Sequence, residues 1–231
     1  MIAVTFLLGA LAIIPATLIE LFFQAPNPLL NAFLPTALIE EFMKFAAVRA
    51  KAYDSPSFTE PMDGIVYGVA ASLGFATVEN MFYVFGIGAI STAIARAFLS
   101  VPSHAAFGGI MGFYLGRAKT FEIEHNKKKE KLLMITGVTI AVVLHGIFDA
   151  MAYSISGFFG FLGLVIVALI SWLILTRLIK TALSISPTGK NSPQSLFREE
   201  SMRFCVACGT RRETRATFCI NCGRPFDVQA T

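Results

Sequence analysis

The sequence predicts an all-α fold, a polytopic helical membrane protein of about six transmembrane helices with a small cytoplasmic zinc ribbon at its C-terminal end. Three observations predict it. Of the 231 residues, 55% are hydrophobic and only 15% charged, with a mean hydropathy of +0.66, whereas soluble domains run at about 45–50% apolar and about 25% charged. The apolar residues fall in runs close to the roughly 20 that a bilayer core requires, separated by short polar punctuation. All four cysteines sit together in the C-terminal tail. This composition excludes an ordinary soluble domain.

The six candidate spans are Met1 to Phe23, Leu30 to Arg49, Met62 to Phe85, Ala93 to Leu115, Leu132 to Tyr153 and Phe158 to Ile179. The first lacks the basic start, short apolar run and small-residue cleavage site of a secretory signal, so it reads as a retained span. Within it, Pro15 reads as a kink and Glu20 as an interfacial, snorkelling carboxylate. The loops set orientation. Arg49 and Lys51 follow the second span. Arg117, Lys119, Lys127, Lys128, Lys129 and Lys131 follow the fourth, and Arg177 and Lys180 close the sixth. The opposite loops, Gln24 to Leu29, Gly86 to Thr92 and Ser154 to Gly157, contain no Lys or Arg. The positive-inside rule then places both termini in the cytoplasm of a multi-pass cell-membrane protein. Arg96 is the one basic residue near the outer surface. The net charge of +4 is topology information, and the basic loop suits lipid headgroups better than nucleic acid, which is not expected as a partner.

Residues 1–183 form the membrane domain, 184–202 a Ser-, Pro- and charge-rich linker, and 203–227 the ribbon. Cys205, Cys208, Cys219 and Cys222 make a C-x2-C-x10-C-x2-C pattern with glycine after each pair. Two such knuckles present four thiolates to one tetrahedral Zn. A cytoplasmic tail keeps thiols reduced, which favours metal over disulfide, and a closed four-cysteine site holds a fold rather than doing chemistry.

The remaining signal is charge in the wrong solvent. Glu40, Glu41 and Lys44 lie in LPTALIEEFMKFAAV, Glu79 and Asn80 in GFATVENMFYV, His104 in SVPSHAAFGG, and His145 with Asp149 in VVLHGIFDAM. Ionisable residues inside a membrane are expensive and point into a bundle or cavity. At about 1.5 Å per residue, Glu40, Glu79, His104, His145 and Asp149 fall roughly 6–15 Å below the outer surface, so they can meet in the outer half of the bilayer. Glu40 and Lys44 share a helix face, as do His145 and Asp149. Gly108, Gly109, Gly112 and Gly116, with Gly68, Ala71, Ser72 and Gly74, allow close helix approach. A carboxylate pair with one member held ionised by Lys44 can act as general base for a water. Two histidines with an aspartate can ligate a divalent metal or stabilise an oxyanion. No inverted repeat and no pair of broken helices is visible, which weighs against the alternative of a polar-core transporter or proton-coupled channel. A non-catalytic polar cluster that only locks the helices together is a third reading.

EEFMK (Glu40 to Lys44), FATVEN (Phe75 to Asn80), His104 before a glycine-rich helix, and HGIFD (His145 to Asp149) resemble, in order, the motifs of the PrsW-type intramembrane proteases, distant relatives of the CAAX prenyl endopeptidases. The resemblance runs from about Leu34 to Tyr153. It implies a helical membrane endopeptidase that cuts a membrane-anchored protein, in that family an anti-sigma factor, on its extracytoplasmic side. It also implies that Glu40 and Glu41 match the catalytic glutamate pair and that Glu79, His104, His145 and Asp149 match the other polar residues, with the metal question left open. Asn80 would orient a peptide carbonyl and Lys44 would support a glutamate electrostatically.

Overall fold

The computed structural model describes residues 1–87, 90–123, 125–155, 157–186, 210, 218 and 221–222. Among them every regular element is helical, and Met1–Ala182 forms one compact unit. α1 is Ile2–Phe22 and stays helical through Pro15. The second segment is one helical rod in four pieces: α2 (Pro28–Asn31), a wide π turn (Ala32–Ala37), α3 (Leu38–Ala47) and a second π turn (Val48–Ala52). α4 is Pro61–Ile87. The fourth segment comprises α5 (Ile90–Ala95), a π turn (Arg96–Ser100) and α6 (Val101–Ile123). α7 is Lys127–Ser154 and α8 is Gly157–Ile185.

Each expected segment falls on a helix, but they are not equivalent. α1, α4, α7 and α8 are long and apolar enough to cross a membrane by length and composition. The second and fourth segments are divided by π turns, and they carry Glu40, Glu41, Lys44 and Arg49 in one and Arg96 and His104 in the other. The apolar runs of the sequence do not mark these π turns. In the second segment the physical reason is Pro35, inside the first π turn, which has no N–H to give to the preceding turn. Widened turns of this kind concentrate at functional sites because they re-aim side chains. Asn27 starts the same segment: its side chain accepts from the Leu29 and Leu30 amides at 2.8 and 3.4 Å, ahead of Pro28 in the first helical turn.

The outer surface of the bundle is apolar. Leu7, Leu11, Leu18, Phe158, Leu169 and Leu173 all stand exposed on α1 and α8. Such a surface is solvated by hydrocarbon and would drive association in water. Inside, α4 packs on α6, α6 on α7, and α1 on α4. The α4–α6 contact is nearly backbone to backbone. A Cβ on Gly68 would overlap the Gly108 carbonyl, and one on Gly112 would overlap the Gly64 carbonyl. Without a hydrophobic drive between helices in lipid, this close approach is what holds the pair. It also brings Glu79 on α4 and His104 at the start of α6 into reach of each other. Of the ribbon cysteines only Cys222 is described, and it is exposed; the expected zinc ribbon otherwise lies outside the described residues.

Gly112→Val is expected to destabilise the bundle by about 1–3 kcal/mol or more, because no flexible side chain can yield. A lower melting temperature of the purified protein in detergent checks this, and an unchanged value would contradict the packing described.

Candidate active site

α3 aims three charged side chains inward because the 3.6-residue period puts positions 40, 41 and 44 on adjoining faces. Lys44 is fully buried. Its Nζ donates to Glu41 Oε1 at 2.7 Å, to Glu40 Oε2 at 3.2 Å and lies 3.0 Å from His104 Nδ1. Three N–H donors meet three acceptors, and the Phe75 ring covers the ammonium at 4.4 Å.

That contact assigns the His104 tautomer. An ammonium only donates, so Nδ1 accepts and the ring proton sits on Nε2. His104 Nε2 lies 2.9 Å from Glu79 Oε2. The other Glu79 oxygen receives Arg96 Nη2 at 2.6 Å, while Arg96 Nε donates to Asn80 Oδ1 at 2.6 Å. Arg96 lies on the π turn before α6, and its guanidinium covers the Tyr83 ring at 3.8 Å.

α7 closes the ring. His145 Nδ1 lies 2.9 Å from Glu41 Oε1, and Glu41 is held as a carboxylate by Lys44, so Nδ1 carries the proton. Nε2, on the other side of the ring, faces Asp149 Oδ2 at 3.4 Å and Glu40 Oε2 at 3.9 Å. Phe107 stacks on the His145 ring and His104 meets it edge-on, with centroids 5.5 and 4.9 Å apart. The orientation of His145 is thus fixed by packing on one side and by a carboxylate on the other.

Two carboxylate oxygens facing one another across a ring nitrogen repel until a cation sits among them, whether a proton on that nitrogen or a metal ion. Asp149 Oδ2 and Glu41 Oε2 are buried without a hydrogen-bond partner. Glu40, His104 and His145 offer three ligand atoms within 4.8 Å of one another. Two imidazoles and a carboxylate are the donor set of a catalytic divalent-metal site with an open position, and a histidine whose other nitrogen is held by a carboxylate is its usual support. The residues therefore fit a metal. His104 could join it only by exchanging Lys44 or Glu79 for the ion, since both of its nitrogens are engaged.

The structure brings together every intramembrane residue singled out in the sequence: Glu40, Glu41, Lys44, Glu79, His104, His145 and Asp149 directly, and Asn80 through Arg96. Sequence reasoning missed three contributors. Arg96 reads as a surface residue yet binds Glu79. Glu20 reads as a snorkelling carboxylate, but it lines, with Glu40 and Glu79, a cavity of about 260 Å³. Tyr153, which the sequence marks only as the end of a span, lines the same cavity. The spacing of Tyr153 was the available signal: it lies one turn beyond Asp149, itself one turn beyond His145.

A buried polar centre of carboxylates and histidines, reached by a cavity inside an all-helical, lipid-compatible bundle, is the arrangement an intramembrane hydrolase requires. A family model described as "PrsW family intramembrane metalloprotease" matches residues 1–175, and the chain belongs to that family. It is 40% identical over 181 residues to Protease PrsW of Geobacillus kaustophilus, covering 77% of each chain. It is 40% identical over 182 residues to Protease PrsW of Halalkalibacterium halodurans, covering 77% of this chain and 81% of the relative. Protease PrsW of Bacillus subtilis is 35% identical over 160 residues, covering 68% of this chain and 71% of that one. No solved structure matches the chain. The chain is a membrane-embedded peptidase, and the transporter reading falls.

Lys44→Met leaves two buried carboxylates without their counter-charge and is expected to cost about 3–5 kcal/mol, the range for removing one partner of a buried ion pair. Combining it with Glu41→Gln should recover part of the loss. Melting temperatures of both variants in detergent check this; equal losses in the two would contradict the ion pair.

Proposed function

We propose that Glu40 activates the attacking water in the cleavage of a membrane-anchored protein, such as an anti-sigma factor, near the extracytoplasmic face. One observation carries the assignment. Glu40 is the member of the carboxylate pair that lines the cavity, whereas Glu41 is fully buried and spends one oxygen on both Lys44 and His145. The cavity gives Glu40 a route to water and substrate that Glu41 lacks. Glu41 is a positioning residue.

In the proposed reaction, Glu40 takes a proton from water as the water oxygen attacks the scissile carbonyl carbon. The negative charge that develops on the carbonyl oxygen is met by the donors and cations of the site. Collapse of the tetrahedral intermediate breaks the C–N bond, and the proton on Glu40 passes to the leaving amine. Glu41 keeps the His145 proton on Nδ1, and Arg96 and Glu79 fix His104. Glu40, His104 and His145, with Asp149 beside them, would hold a divalent metal, which when bound would polarise the carbonyl and lower the pKa of water. Asn80, fixed by Arg96, would orient substrate.

The loop charge bias supports cytoplasmic termini and, with them, a polar centre toward the extracytoplasmic side. Cys205, Cys208, Cys219 and Cys222 would hold a structural Zn in a cytoplasmic ribbon at residues 203–227, joined by the linker at 184–202 to the membrane domain of residues 1–183.

Glu40→Gln is expected to insert and melt like the wild type while cleavage of a membrane-tethered anti-sigma-factor reporter falls by about 10²–10⁴-fold. Cleavage within tenfold of wild type would remove Glu40 from the role. Metal analysis of the full chain with all four cysteines changed to Ser separates tail Zn from an intramembrane ion. A single equivalent is expected to remain and to disappear on adding His145→Ala; a metal-free four-Ser protein that still cleaves would show that the glutamate works alone.

A further inference from the structure

The cavity that reaches Glu40 has three carboxylates on its wall, and two of them already have a cation. Glu40 has Lys44 at 3.2 Å and Glu79 has Arg96 at 2.6 Å. Glu20 has none among the described residues, and its Oε1 is buried without a hydrogen-bond partner. A buried carboxylate oxygen left unsatisfied is costly. Taken as a whole, the polar centre and cavity set Glu20, Glu40, Glu41, Glu79 and Asp149 against two permanent cations, Lys44 and Arg96. A divalent ion at Glu40, His104 and His145 would lie in the polar centre and leave Glu20, on α1, unpaired.

A second hollow of about 320 Å³ adjoins the cavity, sharing Gln24, Asn31 and Tyr153 with it, and is walled by the loop between α1 and α2. Side by side, the two hollows span the distance from that loop to Glu40. Its polar groups suit an extended peptide. Asn31 Oδ1 accepts from the Ala25 amide at 3.0 Å, which leaves its NH2 to donate. Gln24 Nε2 donates to the Glu20 carbonyl at 3.0 Å, which leaves its side-chain oxygen to accept. Such side chains can bind main-chain carbonyl and N–H groups of any sequence, while an unpaired carboxylate reads charge.

The geometry points to Glu20 as a specificity-determining residue that receives a lysine or arginine side chain of the protein substrate, close to the scissile bond, in the cleft between α1 and the α1–α2 loop. This rests on the protease reading above. The basic side chain supplies the missing cation, and a chain carrying an acidic residue there meets Glu20, Glu40 and Glu79 together. Discrimination therefore combines a favourable pair with a repulsive one.

The test uses the full chain in liposomes with single-span reporters that carry an anti-sigma-factor juxtamembrane segment, with Lys, Gln or Glu placed in turn at each residue flanking the cleaved bond. Wild type is expected to favour Lys over Glu by about 10- to 100-fold in kcat/KM at one flanking position, the range of a hydrogen bond to a charged group. Glu20→Lys is expected to invert that preference, with folding followed by melting temperature. If Glu20→Lys does not fold, Glu20→Gln carries the test, and the Lys-over-Gln preference at that position is expected to fall to near unity. Equal cleavage of the reporters by wild type, or a preference unchanged in a folded Glu20 variant, overturns the assignment while leaving the protease reading intact. No cleavage of any reporter by wild type overturns both.

Discussion

The Lys44 ammonium is the interaction on which the rest of the centre depends. It is buried without exposure, and its three hydrogens are consumed by Glu40, Glu41 and His104. In hydrocarbon a bare lysine would cost several kcal/mol, and so would either glutamate; together they satisfy one another within two turns of helix and reach across to α6. The same contacts set proton positions. Donation to His104 Nδ1 moves that ring's proton to the Glu79 side, and charging of Glu41 draws the His145 proton to Nδ1. One cation thereby fixes the tautomers of both histidines.

Such a network forms only if four helix segments come within side-chain reach, and glycine provides that. Gly64, Gly68, Gly108 and Gly112 let α4 and α6 touch along their backbones. The π turns act in the same sense. The turn around Pro35 precedes Glu40, and the turn at Arg96–Ser100 both delivers Arg96 to Glu79 and leads into the helix that carries His104. These irregular turns sit beside charged side chains, where helix regularity is given up for aim.

Much of the fold was legible because the bilayer imposes a strong one-dimensional rule. Runs of about 20 apolar residues must be helices there. The polar residues were legible for the same reason: Glu40, His104 and His145 are conspicuous only against an apolar background. What the rule does not carry is which polar residue meets which. Arg96 and Glu20 read as interfacial because each lies near a span end, where snorkelling is cheap. Their actual partners, a carboxylate in one case and a cavity in the other, depend on the tilt and rotation of neighbouring helices. The π turns were also hidden, since Pro35 alone predicts a disturbance but not its form.

By itself the sequence determined the solvent, the helical class, the approximate segments and the set of intramembrane ionisable residues, because each follows from local composition and period. Only the tertiary structure decided that Glu40 faces the cavity while Glu41 is sealed behind it. Adjacent residues on a helix differ by about 100° in direction, and which direction is inward depends on where the other helices stand. The buried pair of glutamates is therefore two different groups, one on the cavity wall and one holding the histidine behind it.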